Sequence, residues 1–171
     1  MHICCGPCTI YPLKELRTHG CDVTGLYYNP NIHPYMEFKR RKQTLLEYAE
    51  KAFLSMIWPP GYPMEEFLRQ VAPREEERCL YCVRSRLQFT AEMAIREKYG
   101  AFTTTLLYSK YQKHDLIKEV GEELGHRLGI DFYYHDFRQG WEEGVKISRE
   151  LGMYRQPYCG CIYSEKERYY R

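Results

Sequence analysis

The sequence predicts an α/β fold, a parallel five-stranded sheet with helices on both faces, and three observations predict it. Short runs rich in β-branched and aromatic residues alternate with longer segments of helical period. Gly20, Gly100, Gly129 and Gly152 fall where helix C-caps are wanted. The residues able to do chemistry recur just after the expected strands, which is where open α/β sheets bind ligands.

The first strand is expected at residues 2–4, followed by a turn at Gly6-Pro7 and a helix over 11–19 that Gly20 ends. A second strand at 23–28 leads through Asn29-Pro30-Asn31-Ile32-His33-Pro34 into a helix over 35–51. The third strand, 53–58, closes on the turn Trp58-Pro59-Pro60-Gly61-Tyr62-Pro63, and a short helix follows at 64–71. Arg74 to Arg78 are charged without a break and read as a solvated loop before a helix over 82–99. The fourth strand, 102–107, precedes a helix over 113–128, and the fifth, 132–134, precedes one over 141–151. Each strand is short enough to be buried in the middle of a sheet.

With 171 residues the chain suits one domain, 1–171, that buries a core without disulfide staples. No apolar run approaches the ~18 residues of a membrane span, so no membrane partner is expected. The start MHICCGPC has neither a basic n-region nor an apolar h-region, which points to the cytoplasm and to reduced thiols. A net charge of +2 neither requires nor forbids a nucleic-acid partner. Locally, Lys39-Arg40-Arg41-Lys42 is the strongest basic run, and seventeen tyrosines offer aromatic faces that serve packing or stack on unpaired bases.

Seven of the eight cysteines form three tight groups: Cys4, Cys5 and Cys8; Cys79 and Cys82; Cys159 and Cys161. In a reducing compartment such spacing signals metal binding or redox chemistry. Cys79-Leu80-Tyr81-Cys82 can face two sulfurs to one metal, and the vicinal Cys4 and Cys5 can join them if the backbone turns there. Cys4, Cys5, Cys79 and Cys82 together supply the four thiolates of a [4Fe–4S] cluster. Cys159-Gly160-Cys161 allows two thiolates on one ion or a strained, easily reduced disulfide. A structural zinc on Cys5, Cys8, Cys79 and Cys82 would leave Cys4, Cys159 and Cys161 without a role. Cys5-Gly6-Pro7-Cys8 also spells a thioredoxin-like dithiol, yet only four residues precede it. Cys21 reads as a packing residue.

Other polar residues carry alternatives. His33 is a ligand, a proton donor or a structural loop histidine; His114 with Asp115 caps a helix or serves a site; Asp136 and Arg138 pair with each other or with substrate.

An ordered set of motifs sharpens this reading: HICCGPC at 2–8, YYNPNIHP at 27–34 with Glu37 and Arg40, RCLYCVRSRL at 78–87, TTTLLYSKYQKHD at 103–115, DFR at 136–138 and GMYRQPYCGCIYS at 152–164. In these the chain resembles, nearly end to end, the cobalamin-independent epoxyqueuosine reductases of the QueH type. The resemblance implies reduction of the epoxide of epoxyqueuosine to queuosine at the tRNA wobble position, the last step of that pathway, with electrons from an external donor. It implies a HUP-type domain whose phosphate loop is replaced by the cysteine turn; no Gly-rich phosphate loop is visible and ATP is not expected. It assigns the [4Fe–4S] cluster to Cys4, Cys5, Cys79 and Cys82. Cys159 and Cys161 become a redox-active pair or, with Cys8, ligands of a second mononuclear ion, iron or zinc; aspartate can stand in the family where this chain has Cys8. The segment 152–171 should then fold back to the metal site. Asp136, His33 or a tyrosine would donate protons. Asn29, Asn31, His33, Arg40, Arg84, Ser109, His114 and Arg138 are candidate substrate or tRNA contacts, and Lys39 to Lys42, Arg84 and Arg86 candidate phosphate contacts. A zinc-stabilised RNA-binding module without redox chemistry is the competing class.

Overall fold

Helices make up most of this protein, and its strands are few and short. A computed structural model describes residues 1–170. In it α1 (Gly6–Thr18), α2 (Tyr35–Lys51), α3 (Met64–Val71), α4 (Arg78–Arg96), α5 (His114–Leu128), α6 (Trp141–Glu150) and α7 (Ile162–Tyr169) are joined by strands β1 (Thr24–Leu26), β2 (Ser55–Ile57), β3 (Ala101–Phe102) and β4 (Asp131–Phe132). Tighter 3-10 turns occupy Ala72–Glu77, Thr105–Tyr108 and Phe137–Gly140. Among the described residues no helix is long and apolar enough to cross a membrane.

The expected five-stranded sheet, and with it the HUP-type sheet that the resemblance implied, does not form. β1 pairs in parallel with β2, Thr24 opposite Ser55 and Leu26 opposite Ile57, and β3 pairs in parallel with β4 as a separate two-stranded sheet. The expected first strand shrinks to single-residue bridges from His2 to Leu26 and to Thr104.

The causes are local. Pro7 sits in the first turn of α1, where its fixed φ suits a helix and its missing N–H is not needed, so the helix starts at Gly6 and cuts the strand short. Phe53 turns out of α2 at φ 49° and lies exposed, which delays pairing to Ser55. Thr104 Oγ1 accepts the Leu106 N–H at 3.1 Å and caps a 3-10 turn, diverting 105–107 from a ladder.

The helices expected at 35–51 and 64–71 form as expected, whereas α1 and α4 begin five and four residues early, the expected loop at 74–78 is a 3-10 turn running into α4, and α7 was not expected; α5 ends on Gly129 in the left-handed conformation at φ 69°. Two apolar clusters flank the Met1–Ile3 segment. One gathers Leu87, Leu107, Ile117 and Phe137 with faces of α1, α4 and α5; the other gathers Ile3, Leu13, Phe38 and Leu45 between α1 and α2. Each such side chain, fully removed from water, contributes about 1.5–3 kcal/mol. Residues 6–13 of α1 are all buried, so this helix points its amino terminus, with Cys5 and Cys8, into the interior.

The carboxy-terminal segment returns to the same place. Tyr154 Oη donates to Glu37 Oε2 at 2.6 Å, Arg41 donates to the Tyr158 and Cys159 carbonyls, and the His33 N–H donates to the Gly160 carbonyl at 2.8 Å.

Candidate metal centre

The sulfurs of Cys4, Cys5 and Cys8 all lie within 4.8 Å of one another, close enough to share one metal ion. The geometry follows from the helix start: Cys5 is extended, at φ −168° and ψ 163°, and Cys8 lies one turn on. Two vicinal cysteines therefore face one point instead of opposite sides of a strand. Thr105 Oγ1 donates to the Cys4 sulfur at 3.4 Å, and Gln156 Nε2 reaches the Cys5 sulfur at 2.9 Å and the Cys8 sulfur at 3.6 Å.

These contacts set unequal acidities. Donation from the Cys5 and Cys8 thiols, with Thr105, holds Cys4 well below the usual thiol range. Burial pushes Cys5 up, and the neighbouring Cys4 sulfur pushes Cys8 up. Three sulfurs whose thiol protons are unequally held thus share one pocket of soft donors. A bound metal replaces such protons outright, because it is the thiolate that ligates.

The other cysteines lie near one another, and Cys159 lies near enough to Cys4 to sense its charge. Cys79 and Cys82 lie in the first turns of α4, and Arg86, one turn on, donates Nε to the Cys82 carbonyl at 2.9 Å and Nη2 to the Cys82 sulfur at 3.1 Å. Burial pushes the Cys82 thiol up to about 12, while the charges of Cys159, Cys161 and Cys79 also reach it. Cys159 feels Cys161 and Cys4 in turn. The residue is exposed, and its sulfur accepts from Gln112 Nε2 at 3.2 Å. Cys161 caps α7, its sulfur accepting the Ser164 N–H at 3.4 Å. No two sulfurs are joined in a disulfide, and Cys21 packs apart, against the first apolar cluster.

Six of the seven sulfurs accept a hydrogen bond from a nearby donor. Donors around thiolate sulfurs are how proteins orient and tune metal ligands. The donor set is all sulfur, which suits iron–sulfur or zinc chemistry and disfavours hard ions such as magnesium. Cys79 and Cys82 stand outside the 4.8 Å trio.

A cleft of about 570 Å³ opens on Cys4, Cys8 and Cys159. Arg86, Gln112, Arg155, Gln156 and Arg168 add polar walls, and Tyr108, Tyr111, Trp141 and Tyr158 aromatic ones. Tyr111 and Trp141 meet edge to face with centroids 5.5 Å apart.

The remaining predicted residues divide. Ser109 lines the cleft. Asn29, Asn31 and His33 are buried in the loop beneath the carboxy-terminal segment: Asn29 Nδ2 donates to the Ile3 carbonyl at 2.9 Å, the Oδ1 atoms of both asparagines have no partner, and His33 Nε2 lies 3.0 Å from the Pro30 carbonyl. Asp136 and Arg138 form a bidentate pair away from the cleft wall, beside His114, whose Nε2 meets Tyr134 Oη at 3.1 Å. Arg84 pairs with Glu123, and Arg40 stacks on Tyr154 with its guanidinium 4.4 Å from the ring centroid. Arg41 and Arg86 lie buried beside the cysteine segments, Arg86 at the wall of the cleft. Sequence reasoning missed Thr105, Gln112 and Gln156 as sulfur donors; the only available signal was their nearness to the cysteine motifs.

Comparison with known proteins agrees with this geometry. The family model described as "Epoxyqueuosine reductase QueH" matches residues 1–167. Relatives carrying that name include one from Dehalococcoides mccartyi, 36% identical over 99% of this chain and 93% of its own, and one from Thermotoga maritima, 32% identical over 98% and 90%. A third, from Streptococcus pyogenes, is 34% identical over 97% of this chain and 69% of its own.

Proposed function

Since this chain belongs to the epoxyqueuosine reductase QueH family, we propose that its cleft reduces the epoxide of epoxyqueuosine, at the wobble position of tRNA, to the alkene of queuosine. The observation that carries the reading is the buried trio Cys4, Cys5 and Cys8, of which Cys4 and Cys8 share the wall of one cleft with Cys159 from the far end of the chain. The reaction takes up two electrons and two protons, breaks both C–O bonds of the epoxide, and releases the oxygen as water. An external reductant of low potential supplies the electrons, and the cytoplasm, where tRNA is modified, is the setting.

Cys4, Cys5, Cys79 and Cys82 would hold a [4Fe–4S] cluster, with Cys8, Cys159 and Cys161 as ligands of a second ion, iron or zinc. When bound, the cluster supplies electrons singly and the ion offers a Lewis acid to the leaving oxygen. The protein contributes positioning and protons. Tyr108 and Tyr158 line the cleft and hold their protons at neutral pH, Tyr158 because burial pushes it up to about 12. Asp136 stays ionised beside Arg138, so the two tyrosines are the better placed donors. Arg155 and Arg168 face the phosphates of an anticodon loop whose wobble base is splayed inward.

The test is anaerobic purification followed by metal analysis and turnover on tRNA carrying epoxyqueuosine. Brown protein with roughly four or more irons per chain that converts epoxide to alkene supports the reading; colourless protein holding only zinc sinks it. Cys159→Ser should keep the cluster and lose turnover, while Cys21→Ser should change neither.

A further inference from the structure

Arg86 is 2% exposed, and among the described residues no carboxylate pairs with it; its bonds go to the Cys82 carbonyl and the Cys82 sulfur. Arg41, equally buried at 2%, shows the ordinary solution, with Glu37 Oε1 at 2.7 Å. A guanidinium cannot shed its proton, and a buried cation without an anion is strongly unfavourable. Something near Arg86 must carry negative charge, and what surrounds it is sulfur.

We infer that Arg86 is a positioning residue whose fixed positive charge offsets that of the Cys82 thiolate and raises the reduction potential of the centre this thiolate ligates. The inference rests on the iron–sulfur reading given above. Reduction adds one negative charge to the centre. A cation held 3.1 Å from one of its sulfurs in a poorly hydrated interior stabilises the reduced form more than the oxidised one, and hydrogen bonds to ligating sulfurs are an established lever on cluster potential. The placement on α4 is economical: four residues separate Cys82 from Arg86, one helical turn, so the ligand and its counter-charge share a rigid element.

The experiment compares wild type, Arg86→Lys and Arg86→Met, each reconstituted anaerobically, by iron content and by a potentiometric titration followed by electron paramagnetic resonance. With iron retained, Arg86→Met should lower the reduced-to-oxidised ratio at a fixed poise about tenfold, which is about 59 mV for one electron, and Arg86→Lys should recover part of it. Loss of iron in Arg86→Met alone, with Lys retaining it, also supports a requirement for charge. The inference is overturned if Arg86→Met keeps its iron and its potential, including the case where only tRNA binding weakens, which would make Arg86 a phosphate contact. It is equally overturned if both variants lose iron while folding normally, since the guanidinium would then be needed for shape. Wild type without iron would instead sink the reading on which the inference stands.

Discussion

Arg41 Nη1 donates to the carbonyl oxygen of Cys159 at 2.8 Å, so a helix from the first third of the chain holds in place the loop that carries the last two cysteines. The same guanidinium reaches the Tyr158 carbonyl at 3.1 Å, and its Nε is pinned by Glu37 at 2.7 Å. Glu37 in turn accepts from Tyr154, which belongs to the returning segment. A buried ion pair thereby fixes where the Cys-x-Cys pair meets the other cysteines.

Removing Arg41 should therefore cost stability as well as geometry. Arg41→Met strands Glu37 as a buried unpaired carboxylate, for which about 3–5 kcal/mol is expected. Urea unfolding should show that loss, and limited proteolysis should cut more readily between residues 154 and 161. Arg41→Lys should restore only part, because an ammonium cannot reproduce the fork that reaches Glu37 and two carbonyls together. An unchanged unfolding free energy would refute the clamp.

The Asp136–Arg138 pair gives a pH prediction. Hydrogen bonds from Arg138 depress the Asp136 carboxyl to about 2, below the ~3.9 of an unfolded aspartate. A folded pKa below the unfolded one contributes stability above about pH 4 that is lost as the pH falls toward 2. Both side chains are about 40% exposed (41% and 42%), so screening holds the contribution to about 0.2–1 kcal/mol. Arg138→Gln should move the Asp136 titration, followed by carboxyl-carbon NMR, up toward 4, and the stability difference from wild type should vanish near pH 2. A wild-type titration already near 4 would contradict the pairing.

What the sequence disclosed, and what it hid, divides along physical lines. The helix over 35–51 was readable to the residue because an apolar face repeats over almost five turns, and Gly129 marked the end of α5. The three cysteine groups were readable because cysteines at such close spacing so often serve metal binding or redox chemistry. The strands were readable in place but not in length: β1 and β2 fall inside the expected runs 23–28 and 53–58 yet keep three residues each, and the run at 102–107 has strand composition, but the Thr104 side chain satisfies the backbone locally and folds it into a 3-10 turn. Arg41 and Arg86 read as surface charge because a basic residue usually is one; what buries them is a carboxylate in one case and a cysteine sulfur in the other, and both depend on how distant segments pack. Gln112 and Gln156 carry no signature, since an amide becomes a sulfur donor only through placement.

The lip of the cleft carries the last prediction. Tyr111 is 86% exposed yet sits edge-on to Trp141, which itself rests against Tyr108. An aromatic ring left in water beside a site for a splayed-out nucleotide is suited to stacking on an unpaired base. Tyr111→Ala should weaken tRNA binding by about 1–3 kcal/mol, the usual worth of one base on one ring, which is about five- to a hundred-and-fiftyfold. Tyr111→Phe should bind like wild type, because stacking uses the ring and not the hydroxyl. Folding stability should move by less than about 0.5 kcal/mol, as an exposed position allows, and iron content should not change. The effect should fall on KM more than on kcat, since Tyr111 would hold the anticodon loop and not the reacting carbon. Unweakened tRNA affinity in Tyr111→Ala would exclude the ring from the interface and direct attention to Trp141.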